Sequence, residues 1–192
     1  MMSLQAQAGE GKVGFRTWIN LAEQQDYSIN ISAPVPILEW WSSFVSLTAY
    51  HRKNTGDFGG ENVIDLEANA FNLYSQQSFT VRKGLTLELS GFYNSPTIVQ
   101  ASSQAGSQWS MDFGLKMQVL NGNGNLTLGL TDIFKTNRWR GEVRFGAFNA
   151  IANNRWDSRR LNVNFSYFFG NRQVKKARNR KTGLDEEKKR TS

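Results

Sequence analysis

The chain of 192 residues contains no cysteine, three prolines and a single histidine. Without cysteine there is no disulfide framework, thiol nucleophile or thiolate metal site. His51 stands beside Arg52 and Lys53 without further metal-ligating or catalytic partners, so it is predicted to be a loop residue. Because we find no catalytic constellation, metal site or phosphate-binding motif, we expect a protein that is not an enzyme and uses no cofactor.

Long apolar runs are missing as well, since no segment approaches the roughly 20 apolar residues of a membrane-spanning helix. Instead, Leu85–Tyr93, Trp109–Leu120 and Leu161–Phe169 place apolar residues at every second position. This period of two is typical of strands with one apolar and one polar face. The chain offers no other material for the interior of a soluble barrel, so the apolar faces are expected outside and the polar faces inside. The sequence therefore predicts an all-β fold, an antiparallel up-and-down transmembrane β-barrel.

About seven or eight strands follow from this pattern, the first of them weak. They are predicted at Lys12–Asn20, Tyr27–Val35, Ile37–Arg52, Val63–Val81, Leu85–Tyr93, Trp109–Leu120, Leu126–Phe134 and Asp157–Phe169. Within Val63–Val81 the apolar positions change parity after Ala70, which predicts a β-bulge. Short turns at Pro34–Pro36, 82–84 and 121–124 alternate with long loops at 51–62, 94–108 and 135–156, as periplasmic turns and external loops do in outer-membrane barrels.

Trp139–Asn149 also looks like a strand, but a full crossing there would invert the last strand. We therefore predict that it extends Leu126–Phe134 above the membrane and folds back near Asn153 and Asn154. Aromatic residues are expected in two girdles at headgroup level. The lower girdle is predicted to contain Trp40, Trp41, Phe79, Tyr167, Phe168 and Phe169, and the upper one Tyr50, Tyr93, Trp109, Phe134, Trp139 and Trp156.

Positive charge is concentrated at the end of the chain. Residues 172–192 hold nine Lys or Arg and three Asp or Glu, a net charge of +6, whereas residues 1–171 hold fourteen and thirteen, a net charge of +1. A nucleic-acid-binding protein would carry a basic face on its folded body, so nucleic acid is not an expected partner. We predict an N-terminal segment over 1–12, barrel strands over 13–171 and a basic periplasmic tail over 172–192.

The end of the chain, with LNVNFSYFFGN at Leu161–Asn171 followed by a basic segment containing RKTG, resembles a known family. It is similar to the C-terminal part of Bacteroidetes-type outer-membrane β-barrel proteins related to TonB-dependent receptors. Asp132-Ile133-Phe134 with Trp139-Arg140-Gly141 resembles that family's penultimate strand. Trp40-Trp41, and Gly91-Phe92-Tyr93 with Ser95-Pro96, fit as well.

The resemblance implies a parent barrel of about 22 strands, with a plug and a segment that engages TonB. This chain would then be a partial barrel in the cell outer membrane, forming wall and external loops for solute uptake. Its partners would be the lipid bilayer and the upstream strands and plug, with TonB-type energy coupling only through missing N-terminal parts. Residues 1–12 lack the pattern of a secretory signal, so we expect a signal upstream or a fragment.

Two alternatives stay open. One is a complete small eight-stranded outer-membrane barrel with a structural or adhesion role, for which the chain has the right size. The other is a soluble lipocalin-like binding protein, against which the aromatic girdles argue. The residues do not identify a transported solute.

Strand parity also predicts which residues face lipid and which face the lumen. The lipid-facing set is Leu87, Leu89, Phe113, Leu115, Leu128, Val163 and Phe165. The lumen-facing candidates are Glu88, Asp112, Lys116, Asn162 and Asn164, with Asp65 and Glu67 expected on the same face; wall-stabilising ion pairs are favoured over a substrate path. The external-loop ligand candidates are Arg138, Trp139, Arg140, Arg155 and Trp156, because arginine binds phosphate and carboxylate groups through two hydrogen bonds.

Overall fold

The computed structural model describes residues 2–6, 14–18, 23–57, 63–100, 103–145 and 148–169. Over these residues the regular elements are β-strands and one 3-10 turn at Leu120–Gly122, which confirms the all-β prediction. In chain order the strands are β1 (Met2–Ala6), β2 (Gly14–Trp18), β3 (Glu23–Leu38), β4 (Trp41–Asp57), β5 (Val63–Arg82), β6 (Leu85–Asn94), β7 (Thr97–Gln100), β8 (Ser103–Ala105), β9 (Gln108–Val119), β10 (Gly124–Leu130), β11 (Arg138–Phe145), β12 (Phe148–Arg155) and β13 (Leu161–Tyr167). Among the described residues, no helix has the length and apolar character needed to cross a membrane.

Seven strands form one antiparallel sheet in the order β13-β10-β9-β6-β5-β4-β3. Apart from two insertions, after β6 and after β10, each strand pairs with its neighbour in sequence, which is the predicted up-and-down topology. Within the described residues β3 and β13 are the two edges of this sheet and do not pair with each other. The weak strand expected at Lys12–Asn20 contains β2, which pairs with β1 in a separate ladder.

The cross-strand register aligns apolar side chains from each of the seven strands on one face. One row of direct partners consists of Trp41, Phe79, Leu87, Leu115, Leu128 and Val163. The edge strand β3 contributes Ile31, which lies opposite Leu47. Ile31 is 61% exposed and Val163 is 64% exposed. An apolar face of this extent is stable only against an apolar medium, as on the outside of a membrane barrel.

The short connections β3–β4, β5–β6 and β9–β10 lie at one end of the sheet. Asn121 and Gly122 adopt positive φ angles of 54° and 84°, which confirms the tight turn predicted from Asn-Gly. The backbone N–H of Phe168 donates to the carbonyl oxygen of Asn123 at 2.8 Å. The last strand therefore ends at the short-turn end, as predicted. The basic tail over 172–192 lies outside the described residues.

The turn predicted at Pro34–Pro36 is wrong. β3 continues through both prolines to Leu38, and the chain turns at Glu39 and Trp40. β3 is an edge strand of the described sheet, which is where proline is found in strands because its nitrogen cannot donate to a ladder. A register shift lies between Pro36 and Leu38.

The loop predicted at 51–62 is wrong as far as Asp57, and 58–62 lie outside the described residues. The β-bulge predicted after Ala70 is also wrong. β4 runs on to Asp57, and its pairing with β5 stays in register throughout. What changes along β5 is the face that is covered: Ile64 and Ala70 are 4% and 6% exposed, whereas Phe71, on the opposite face, is 40% exposed. The segment that contains β7 contacts the half of β5 that lies away from the short turns. The apolar positions therefore change parity after Ala70 because the buried side changes, while the register with β4 stays the same. The register with β6 shifts only at the short-turn end, between Thr80 and Arg82.

The two insertions pair with each other in a second sheet, of order β12-β11-β8-β7, at the end opposite the short turns. As predicted, the described residues of Trp139–Asn149 add no strand to the seven-stranded sheet. It does not extend Leu126–Phe134, however, because β11 pairs with β8, with Gly141 opposite Ala105. The fold-back predicted near Asn153 and Asn154 is wrong, since both residues lie within β12.

Candidate functional site

A close ion pair lies on the polar face of the seven-stranded sheet, in the part formed by β6 and β9. Lys116 Nζ lies 2.7 Å from Glu88 Oε1. Lys116, Thr127 and Asn164 are successive partners in one cross-strand row. Glu88 and Asn162 belong to the adjacent row, in which Gly114 and Gly129 lie between them. These four predicted lumen-facing residues therefore lie together on the face opposite the apolar one. That this face lines a lumen stays a prediction.

Asp112 lies on the same polar face and supports a loop. Its Oδ1 accepts a hydrogen bond from the backbone N–H of Asp132 at 2.8 Å. The expectation that Asp65 and Glu67 share this face is wrong, because the register places them on the face of Phe71. The error has the same origin as the β-bulge prediction: outside the membrane-facing part of β5, apolar residues cover the opposite side.

A small polar cluster interrupts the apolar face and is satisfied internally. Gln77 Nε2 donates to Ser43 Oγ at 2.7 Å and to Ser75 Oγ at 2.8 Å, while its Oε1 accepts from Trp41 Nε1 at 2.8 Å. Polar groups on a lipid-facing surface need partners within the protein, and these side chains supply them to one another.

Aromatic rings gather at both ends of the sheet. At the short-turn end, the ring centroids of Trp40, Trp41 and Phe79 lie between 5.7 and 6.2 Å apart. At the opposite end, the rings of Trp109 and Phe134 lie 6.0 Å apart. Such rings favour the headgroup level of a bilayer, so their positions at the two ends of the sheet agree with the two predicted girdles.

The insertion after β6 is fastened to the outer part of β4. Arg52 Nη1 donates to the carbonyl oxygen of Ile98 at 2.9 Å, and Arg52 Nε lies 2.6 Å from Asp26 Oδ1. Tyr50, expected in the upper girdle, instead donates its hydroxyl to Thr97 Oγ1 at 3.0 Å. Hydrogen bonds from Arg52 to Ile98 and from Tyr50 to Thr97 therefore hold the insertion against β4, and the ion pair with Asp26 of β3 orients Arg52.

One buried carboxylate organises the stem of the external hairpin formed by β11 and β12. Asp132, two residues beyond β10, is 1% exposed. Its carboxylate accepts hydrogen bonds from the backbone N–H groups of Thr136 at 2.9 Å and Asn137 at 3.2 Å, and from the hydroxyl of Ser158. Arg159 Nη2 donates to the carbonyl oxygen of Ile133 at 2.5 Å. Both ends of the insertion are thus tied to the residues that follow β10.

These donors also set the charge state of Asp132. Burial is the largest single influence and acts to raise the pKa, but the hydrogen bonds from Ser158, Thr136 and Asn137 together outweigh it. The pKa of Asp132 therefore lies below its ordinary value of 3.8. Asp132 is a stable anion at neutral pH, with its oxygens occupied by the protein itself.

Beside this stem lies a polar cavity of about 350 Å³. It brings together Arg138, Arg155 and Trp156 of the predicted external residues and adds Lys135 and Asp157. Arg138 and Arg155 are direct cross-strand partners. Among the described residues, neither arginine nor Lys135 forms an ion pair with a carboxylate. Within the described part of the chain, the cavity therefore holds three cationic side chains that no carboxylate neutralises through an ion pair.

The other two predicted external residues lie elsewhere. The ring of Trp139 covers Gly141, where any side chain would collide with it. Arg140 lines a separate cavity of about 550 Å³ with Gln104 and Asn153. Adjacent positions in a strand point to opposite faces, which separates Trp139 from Arg138.

The sequence pattern missed Lys135, Asp132 and Ser158 as parts of this site. An Asp directly after a strand, with Thr and Asn soon after it, was an available signal for a loop in which a carboxylate accepts backbone N–H groups. Ser158 had no such signal, because its contact with Asp132 joins two positions that only the fold brings together.

A family model described as an outer membrane protein beta-barrel family matches residues 3–167. The matched range contains both the seven-stranded sheet and the second sheet. No curated protein and no solved structure matches the chain.

Proposed function

We propose that this chain, which belongs to the outer membrane protein beta-barrel family, forms wall and external loops of a larger, TonB-dependent-receptor-like barrel that takes up a solute. Family membership places the protein in the outer membrane, so the apolar face of the seven-stranded sheet lies against lipid. That location removes the soluble lipocalin-like alternative. The polar face would then form part of the lumen wall, with the ion pair of Glu88 and Lys116 stabilising it.

The two open edges of the sheet are the observation that carries the proposal. In the described residues, β3 and β13 each pair on one side only. Backbone N–H and C=O groups in lipid need hydrogen-bond partners within the protein, so neither edge is tolerated without a further strand. Additional strands of a larger barrel supply these partners. The resemblance of Leu161–Asn171 to TonB-dependent receptors supports the plug and the energy coupling.

Disulfide trapping tests whether β3 and β13 are neighbours, and residues 1–192 contain no cysteine to interfere. One cysteine is placed in β3, at Ile29, Ile31 or Ala33, and one in β13, at Val163 or Phe165, in the full-length protein. A disulfide needs Cα atoms within about 7 Å of each other, so we expect no link in a larger barrel. Leu128→Cys with Val163→Cys is the positive control, because these residues are direct partners. A link between β3 and β13 supports the complete small barrel instead.

Uptake is tested separately in cells that lack the gene and in cells that carry it. The cells are offered solutes too large for general porins, with and without a protonophore that collapses the inner-membrane proton gradient. We expect uptake to require both the gene and the gradient. Uptake that is indifferent to either one contradicts the receptor-like role.

A further inference from the structure

The cavity at the base of the external hairpin has an unbalanced charge. Lys135, Arg138 and Arg155 contribute three positive charges to its lining, and Asp157 contributes one negative charge. Arg138 and Arg155 lie directly opposite each other in the ladder of β11 and β12. Like charges in this position destabilise a strand pair unless an anion lies between them. The arrangement is therefore suited to an external anion.

The walls of the cavity are held in place before any ligand arrives. Asn137 and Ser158, which also line it, both donate to the carboxylate of Asp132. One wall follows β10 and the other precedes β13, so a single buried group fixes their separation. A site whose shape is fixed in advance loses little conformational entropy when it binds a ligand.

The position of the cavity indicates where the ligand lies relative to the bilayer. Phe134 packs on Trp109 at the loop end of the sheet, and Lys135 is the next residue in the chain. Aromatic rings at this level mark the boundary between hydrocarbon and headgroups. The cationic groups therefore begin at headgroup level, where lipid phosphates lie. Trp156, which is 48% exposed, stands at the same cavity.

We propose that this cavity is a phosphate-binding site, with Arg138 and Arg155 as the principal ligands and Lys135 as a third cation. A phosphomonoester carries a charge of about −1.5 to −2 at neutral pH, which matches the excess of positive charge better than the single charge of a carboxylate. Arginine also binds phosphate through paired, charge-assisted hydrogen bonds. The phosphate belongs either to a lipid headgroup or to a soluble solute. This inference uses the outer-membrane location and does not depend on the proposed uptake.

The first arm of the test titrates inorganic phosphate into the full-length protein in a phosphate-free detergent, followed by calorimetry. The second arm places the protein in phosphatidylcholine nanodiscs with and without phosphatidic acid, and measures which lipid remains bound by native mass spectrometry. The variants are Arg138→Gln and Arg155→Gln. Arg160→Gln is the matched control, because it removes the same charge outside the cavity lining.

We expect Arg138→Gln and Arg155→Gln each to weaken binding by about tenfold or more in the arm that shows it, since each removes a charge-assisted hydrogen bond. Binding in the first arm identifies a soluble phosphate, and selective retention of phosphatidic acid in the second identifies a headgroup. Unchanged heat-modifiability of the variants on gels shows that they fold. Equal behaviour of the wild type and both cavity variants in both arms overturns the proposal, and so does an equal loss in Arg160→Gln.

Discussion

The hydroxyl of Ser158 donates a hydrogen bond to the carboxylate of Asp132, and this contact closes the base of the external hairpin. β11 and β12 lie between these two residues in the chain. The same carboxylate accepts the backbone N–H groups of Thr136 and Asn137. Because separating the two ends of the insertion would leave a buried carboxylate without donors, the hairpin is a fixed extension of β10 and β13.

We expect Asp132→Asn to lower the free energy of unfolding by roughly 1.5–3 kcal/mol, because hydrogen bonds to a charged acceptor are replaced by weaker ones. Asp157→Asn is the matched control. Asp157 is exposed and makes no hydrogen bond or ion pair within the described residues, so its change should stay within about 0.5 kcal/mol. Urea unfolding from lipid vesicles, followed by tryptophan fluorescence, measures both. Equal losses would show that Asp132 has no special part in the stem.

Acid should loosen the same stem. The pKa of Asp132 is lower in the folded protein than its ordinary value of 3.8, so the folded state binds this proton less readily than the unfolded state. The stabilisation is therefore present above about pH 3.8 and is lost as the pH falls through the lower, folded-state pKa. Hydrogen exchange at the amides of Thr136 and Asn137, corrected for intrinsic rates, should accelerate over that interval. In Asp132→Asn the same acceleration should be missing; if it persists, another group controls the stem.

The two faces of β6 should respond differently to a new charge. Leu89 belongs to the apolar face, and Ser90, its neighbour in the same strand, belongs to the polar face. We expect Leu89→Arg to destabilise the protein by roughly 2–4 kcal/mol if it lies near the bilayer midplane, and Ser90→Arg to cost far less. The two positions lie at nearly the same depth, so each controls for the other. Similar costs in vesicle unfolding would contradict the assignment of the apolar face to lipid.

Two glycines on the sheet should differ in their tolerance of a methyl group. A Cβ atom at Gly91 would lie 2.9 Å from the carbonyl oxygen of Ser110, whereas one at Gly129 would lie 3.9 Å from Asn162 Cβ. We expect Gly91→Ala to cost about 1–3 kcal/mol through the forced backbone shift, and Gly129→Ala to cost nothing measurable. The midpoints of urea unfolding separate the two. A neutral Gly91→Ala would mean that β6 and β9 move apart without cost.

Local patterns predicted the seven-stranded sheet because its pairings are local. The alternation in Leu85–Tyr93 predicts β6. The Asn121-Gly122 turn sets the register between β9 and β10. The pairing of Gly141 with Ala105 has no such basis, since it joins two insertions that meet only after the sheet has formed. The candidate site was the part least completely predicted, because it depends on such long-range pairings. The sequence identified Arg138 and Arg155 as candidate ligands. It did not show that they are cross-strand partners, or that Asp132 holds the two ends of the hairpin together.

The pairing of β8 with β11 also has a kinetic consequence. Its partners lie far apart in sequence, and their ends come close only when β9 and β10 have formed their hairpin. Contacts that close late are absent from the folding transition state, so substitutions there change the unfolding rate far more than the folding rate. We therefore expect substitutions that stabilise the second sheet to slow unfolding of the inserted protein without speeding its folding.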